Sequence, residues 1–314
     1  MLEEEIQRNG YGSEPASLYE PIRYIMRLGG KRMRPLLTML SYSLYRDDIQ
    51  RILPYAAAVE TFHNFTLMHD DIMDQAPLRR GKTTVHKKWN VNTAILSGDV
   101  MLVRVYDIFL RLDVDKLKEV LLRFNTCAAE VCEGQQEDME FERQRKVTVE
   151  QYLSMIRLKT AVLLGFSLEL GAMLANAPGH DREVLRDFGI NMGIAFQLKD
   201  DLLDVYGDKK NFGKQQGGDI IANKKTFLLI NAMLHARGKG KKELQQWLSA
   251  TRFDKQKKVA AVTKIYDSLG IRQLTEKRIQ EYFTKGFQGL EQLSVKGKSI
   301  TLINFVESIA KRQK

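Results

Sequence analysis

The sequence predicts an all-α protein: a single large helical-bundle domain over residues 1–314 with a central helix-lined cavity. Three observations predict it. Apolar residues recur at helical spacing, as at Val120, Leu121, Phe124 and Ala128, and at Leu153, Ile156, Leu163, Leu164 and Leu168. No proline falls between Pro77 and Pro178, so nothing in that stretch forces a break in a long helix. Strong strand alternation is absent, and 44% hydrophobic residues is a globular composition.

The expected helices cover 15–28, 32–45, 52–73, 92–112, 115–144, 149–175, 181–206, 225–236, 241–250, 254–270, 272–294 and 299–312. The turn Gly29-Gly30-Lys31-Arg32-Met33-Arg34-Pro35 opens the second of them. The third runs through apolar Phe65, Leu67 and Met68 into Asp70-Asp71-Ile72-Met73-Asp74. Thr148 and Gln151 read as a capping box at the start of the 149–175 helix. The 181–206 helix carries Ile194, Ala195, Phe196 and Leu198 into Asp200-Asp201-Leu202-Leu203-Asp204. The polar stretch from Gly207 to Gly218 reads as a long loop of the kind that covers a site. In the C-terminal third, Lys239, Lys241, Lys242, Lys255, Lys257 and Lys258 interleave with apolar positions, as a solvated face does.

The net charge of +10 admits nucleic acid or an anionic small substrate as partner. No aromatic–basic stacking stripe supports nucleic acid. No apolar run is long enough to span a bilayer. Met1-Leu2-Glu3-Glu4-Glu5 lacks the apolar core of a secretory signal, and Cys127 and Cys132 form neither a disulfide framework nor a metal motif. A reducing, cytoplasmic setting is the simplest expectation.

The two Asp-Asp-x-x-Asp clusters carry the chemistry. Residues four apart on a helix share a face, so Asp70 projects with Asp74 and Asp200 with Asp204. Like charges so placed repel unless something cationic joins them. Mg²⁺ is held by one or two carboxylates while sharing its remaining positions with water and phosphate. The pair therefore predicts a pocket that holds a diphosphate through metal ions. Lys31, Arg32 and Arg34 form a cationic turn at a helix start, a place suited to an anion, and Arg79-Arg80-Gly81-Lys82 follows the first cluster. Glu60-x-x-His63 has no second copy, which argues against a di-metal redox centre.

Taken in order, Gly-Gly-Lys-Arg-x-Arg-Pro, Asp-Asp-x-x-Asp with Arg-Arg-Gly, Lys159-Thr160, Phe196-Gln197-x-x-Asp-Asp-x-x-Asp, Gly213-Lys214 and Asn223-Lys224 resemble the all-trans isoprenyl diphosphate synthases, the farnesyl and geranylgeranyl diphosphate synthases among them. The resemblance implies an isoprenoid synthase-like fold and head-to-tail condensation of isopentenyl diphosphate with an allylic diphosphate. It implies that Lys31, Arg34, His63 and Arg80 bind isopentenyl diphosphate. It places the allylic diphosphate on Mg²⁺, about three ions, held by Asp70, Asp74 and Asp200, with Arg79, Lys159, Lys214 and Lys224 assisting. Asp71, Asp201 and Asp204 would act through metal waters or substrate. Thr160, Gln197 and the Lys159 carbonyl would face the developing carbocation. It further implies a homodimer, with the 92–112 and 115–144 helices as candidate interface elements.

Phe65 and Thr66, five and four residues before Asp70, occupy the positions that set chain length in the family. One aromatic beside a small residue points to C15 or C20, with C20 favoured. Alternatives are a non-catalytic subunit of such a synthase, a longer-chain polyprenyl synthase, and a terpene cyclase. Intact acidic clusters argue against the first, and an all-Asp second cluster against the last.

Overall fold

The computed structural model describes residues 1–8, 10–207, 217–295 and 297–311. Its helices are α1 (Leu2–Arg8), α2 (Ala16–Arg27), α3 (Met33–Ser43), α4 (Leu53–Met73), α5 (Val85–Lys88), α6 (Val91–Phe109), α7 (Val114–Arg143), α8 (Val149–Ile156), α9 (Val162–Leu174), α10 (Gly179–Tyr206), α11 (Gly218–Ala222), α12 (Phe227–His235), α13 (Gly238–Ser249), α14 (Lys255–Ser268), α15 (Ile271–Leu290) and α16 (Ile300–Lys311). Two strands, β1 (Leu78–Arg79) and β2 (Lys82–Thr83), pair antiparallel. The protein is all-α. No helix among the described residues is long and apolar enough to cross a membrane.

Caps mark several helix starts. The Asn90 side chain accepts from the Thr93 N–H at 2.8 Å, and Asp254 does the same for Lys257 at 2.9 Å. The expected capping box is present: Gln151 N–H donates to Thr148 Oγ1 at 3.1 Å, and Thr148 N–H donates to Gln151 Oε1 at 2.9 Å. The helix expected over 149–175 is present, with a change of hydrogen-bond pattern inside it. A π-helical turn, Arg157–Ala161, separates α8 from α9.

The chain forms two compact units. The first comprises Met1–Cys127, Leu163–Arg186 and Gln292–Leu302; the second comprises Ala128–Val162, Asp187–Glu291 and Ile303–Lys314.

In the first unit α4 is buried on nearly every side, which explains its short run of small residues, Ala56, Ala57 and Ala58. It packs against α1, α2, α3 and α6. Aromatic rings fill the space beside it. Phe124 meets Phe62 and Phe109 edge-on at 5.0 Å and 5.2 Å and lies 5.8 Å from Phe166. Gly98 on α6 makes room for His69, since a Cβ there would stand 2.2 Å from the imidazole. Asp181 fastens the unit's last segment, accepting from Tyr45 at 2.8 Å and from the Ser294 N–H at 3.2 Å.

In the second unit the π-helical turn is gripped from two directions. A Cβ at Gly134 would lie 2.2 Å from Lys159 N, and one at Gly193 would lie 2.5 Å from Ala161 Cα. Phe196–Phe283 and Phe188–Phe287 ring contacts, each 5.7 Å, join α10 to α15. Lys258 is fully buried and donates to Asn223 Oδ1 at 2.7 Å and Ile221 O at 3.2 Å, holding the left-handed end of α11.

Candidate active site

The first unit carries the first acidic cluster at the C-terminal end of α4. Asp71 is buried and receives Arg79 Nε on both carboxylate oxygens at 2.9 Å, while Arg79 Nη2 donates to Asp70 Oδ2 at 3.1 Å. Burial pushes the Asp71 carboxyl up, and Arg79 offsets only part of that. Asp74 is exposed at the helix end, and its N–H donates to Asp70 O at 2.9 Å.

Arg79 reaches this position because it sits on a tight hairpin. Leu78 pairs with Thr83 and Arg79 with Lys82, and the two connecting residues, Arg80 and Gly81, both have positive φ, 52° and 72°. Such a turn matches the twist of two short strands. It aims Arg79 at the acidic cluster and sends Arg80 to the Gly29–Arg34 turn. The Arg80 guanidinium carbon lies 2.8 Å from where a Cβ on Gly30 would stand, and the φ of 139° at Gly30 is one that favours glycine.

That meeting point is a cationic cluster. Arg34 Nη1 lies 3.1 Å from His63 Nε2. Arginine only donates, so His63 accepts there and carries its proton on Nδ1. Burial, then Arg34, Arg80 and Arg79, hold the His63 pKa well below its usual value, so the ring is neutral. Burial brings Arg34 down to about 10. Arg34 Nε is buried with no hydrogen-bond partner among the described residues. A donor left unmade inside a cluster of arginines is a place where an anion belongs. Lys31 stands exposed on the same turn.

Arg32 takes a different part. Its backbone is left-handed, φ 46°. Its guanidinium donates to Glu60 Oε1 at 2.7 Å, Glu3 Oε1 at 2.7 Å and Met26 O at 2.7 Å. Asn64 Nδ2 also donates to Glu60 Oε1, at 3.1 Å. Glu60 thus serves the turn. Near α4's end, Phe65 lies against His69 at 4.7 Å and Phe62 at 5.6 Å, while Thr66 Oγ1 bonds back to His63 O at 2.8 Å.

The second unit carries the second cluster at the end of α10. Asp200 is exposed. Asp201 is buried, accepts from Gln197 Nε2 at 3.0 Å, and accepts a short hydrogen bond from the Tyr152 hydroxyl. Thr160 Oγ1 donates to Gln197 Oε1 at 3.2 Å, so Thr160, Gln197 and Asp201 form one hydrogen-bonded chain. Burial, with Asp219 adding to it, pushes Asp201 up to about 7. Asp204 accepts the Asp219 N–H at 3.0 Å, at the start of α11.

Lys159 and Thr160 project from the π-helical turn, a local widening that re-aims side chains. Lys159 Nζ donates to Asp138 Oδ2 at 2.7 Å, and Lys224 Nζ stands 3.8 Å from the same oxygen. Burial raises the Asp138 pKa, but Lys224 and Lys159 together more than reverse it. Lys214 lies outside the described residues. Sequence reasoning missed Asp138, Tyr152 and the Arg32–Glu60 pair. Gly134, a lone glycine within α7, was the available signal for the first: it marks where α7's backbone comes close to the π-helical turn.

Among the described residues no three His, Cys, Asp or Glu side chains form a ready metal cage. The donor set nonetheless fits Mg²⁺. Asp70, Asp74 and Asp200 offer hard oxygens, and this ion completes its shell with water and phosphate.

The model of the polyprenyl synthetase family matches residues 15–266. A short chain isoprenyl diphosphate synthase of Methanocaldococcus jannaschii is 44% identical over 233 residues, 74% of this chain and 70% of that one. A geranylgeranyl diphosphate synthase of Methanosarcina mazei is 39% identical over 248 residues, 76% of each. A crystal structure of a geranylgeranyl pyrophosphate synthase superposes with a TM-score of 0.95 at 43% identity, covering 100% of this chain and 97% of that one. Cationic turn, acidic helix ends, sequence and fold agree: the chain belongs to the polyprenyl synthetase family and is a prenyltransferase, a synthase of short-chain prenyl diphosphates.

Proposed function

We propose that the enzyme condenses isopentenyl diphosphate head-to-tail with allylic diphosphates, requires Mg²⁺, and makes a C20 all-trans product. The observation that carries the substrate assignment is the Arg34–His63–Arg80 cluster with its unpartnered Arg34 Nε. Together with Lys31, these residues bind the isopentenyl diphosphate. Neutral His63 adds no charge there; it holds Arg34 in place.

The residues that would hold Mg²⁺ for the allylic diphosphate are Asp70 and Asp74 in the first unit and Asp200 in the second, each through carboxylate oxygens. The bound ions supply charge neutralisation for a leaving diphosphate. Arg79 in the first unit, Lys159 and Lys224 in the second and, outside the described residues, Lys214 would supply fixed positive charge for the allylic diphosphate. The allylic C–O bond breaks and its electron pair leaves with diphosphate. The isopentenyl double bond attacks the allylic carbon, and the proton then lost goes to the released diphosphate. Thr160 and Gln197, locked to each other, present fixed dipoles to the positive charge. No protein nucleophile is required.

C20 is supported by the geranylgeranyl names among the relatives and by Thr66 as the small partner of Phe65. A homodimer is supported by exposed Leu96 and Val103 on α6, Leu110 just after it, and exposed Val114 and Leu122 on α7. The free thiols Cys127 and Cys132 support a cytosolic location. The deciding experiment incubates the purified chain with Mg²⁺, isopentenyl diphosphate and C5, C10 or C15 allylic diphosphate, and measures product length. A C20 product from all three is expected. No condensation with any of them overturns the reading.

A further inference from the structure

The second unit contains a recess whose residues have no part in the reaction above. It is bounded by the Arg145–Glu150 segment, α12 and α13, and has a volume of about 530 Å³. That is within the ~300–1,000 Å³ of small-molecule sites. Its floor is apolar: Val147, Ile230 and Leu244 are all buried there, and Leu234 stands at the edge 53% exposed. Its rim is cationic. Arg145, Lys146, Lys225 and Lys241 line it against one acid, Glu150. None of the four cations is ion-paired with another described residue.

An apolar floor under unpaired cations selects a two-part ligand. Inorganic phosphate would leave the floor exposed to water, and a neutral hydrocarbon would leave the rim unused. A second copy of a chain with net charge +10 would bring like charge to the rim. We propose that this recess binds one molecule of a single-chain anionic amphiphile, an apolar tail ending in a phosphate or diphosphate head. The tail lies over Val147, Ile230 and Leu244, and the head meets Lys146 and Lys241. The occupant is a dissolved molecule, since a recess of this volume accepts one chain.

The test uses full-length protein and dodecyl phosphate below its micellar concentration, in EDTA, followed by calorimetry. Metal-free conditions silence condensation, so failure of this proposal and failure of the proposed reaction are separate results. One saturable site is expected. Lys146→Ser/Lys241→Ser should raise Kd at least ~10-fold, and Leu234→Ser should raise it as well. Dodecanol should bind at least ~10-fold more weakly than dodecyl phosphate. Lys31→Ala/Arg80→Ala should bind like the parent, and Lys146→Ser/Lys241→Ser should keep the parental prenyl-transfer kcat and KM. The proposal is overturned by no binding, by unchanged binding in Lys146→Ser/Lys241→Ser, or by a loss confined to Lys31→Ala/Arg80→Ala. Capture of the protein by phosphatidylglycerol vesicles without uptake of monomeric dodecyl phosphate also overturns it, and assigns the face to a membrane surface.

Discussion

Asp138 Oδ2 accepts from Lys159 Nζ at 2.7 Å, so the lysine assigned to the allylic diphosphate is held by a carboxylate on α7. The same oxygen faces Lys224 at 3.8 Å. One acid thus keeps two cations of the second unit near each other.

Asp138→Asn should therefore lower kcat while leaving the KM for isopentenyl diphosphate unchanged. A charge-assisted hydrogen bond is worth about 1.5–3 kcal/mol, which also sets the expected loss of stability. Steady-state kinetics with each substrate varied, alongside thermal unfolding, provide the check. An equal effect on both substrates would remove Asp138 as a positioning residue for Lys159.

Asp70→Ala and Asp200→Ala should each reduce turnover by at least ~10²-fold, the usual scale for an electrostatic catalytic group. Neither side chain is part of a core cluster, so far-ultraviolet dichroism should be unchanged. Near-normal activity in either variant would end the metal assignment.

Arg80→Ala should raise the KM for isopentenyl diphosphate far more than that for the allylic substrate. Lys31→Ala should act in the same direction. Initial rates with one substrate saturating separate the two. An effect confined to the allylic substrate would mean the two diphosphate sites are exchanged.

Phe65→Ala should lengthen the product by at least one C5 unit with activity retained. Phe65 also packs against His69 and Phe62, so the competing outcome is concrete. A lower unfolding midpoint with an unchanged product would assign Phe65 to packing alone. Chromatography of the dephosphorylated products distinguishes them.

The buried Asp201 predicts a pH dependence of the metal-free fold. Burial pushes its carboxyl up to about 7 from the ordinary aspartate value of 3.8. Between those values the folded state holds a proton that the unfolded state has released. Stability from this group is fully present below pH ~4 and is lost as pH rises to about 7. In EDTA the unfolding midpoint should fall across that window, and Asp201→Asn should flatten the decline. An identical slope in the variant would exclude Asp201 as its source.

The long helices were legible because their apolar spacing and uninterrupted runs are local properties. The 114–143 and 179–206 spans fall within a few residues of expectation, and the Thr148–Gln151 box is where its spacing put it. The acidic clusters and the cationic turn were legible as motifs. The π-helical turn was not. It arises where Gly134 and Gly193 let two backbones press on residues 157–161, which is tertiary packing without a local pattern. The 78–83 hairpin escaped because its strands are two residues long, too short to alternate, and its turn is Arg-Gly rather than Asn-Gly. Helix α1 has seven residues, too few to be stable alone; it is fastened by Glu3 to Arg32. Asp138 and Tyr152 went unseen because each acts on a partner 21 or 49 positions away.

The Arg32–Glu3 contact ties α1 to the turn that carries Lys31 and Arg34, the residues proposed for isopentenyl diphosphate. Deleting the first eight residues would strip Arg32 of two of its bonds and loosen the left-handed turn that presents Lys31 and Arg34. Kinetic constants measured on protein trimmed of α1 would then describe a loosened turn rather than the one fastened through Glu3.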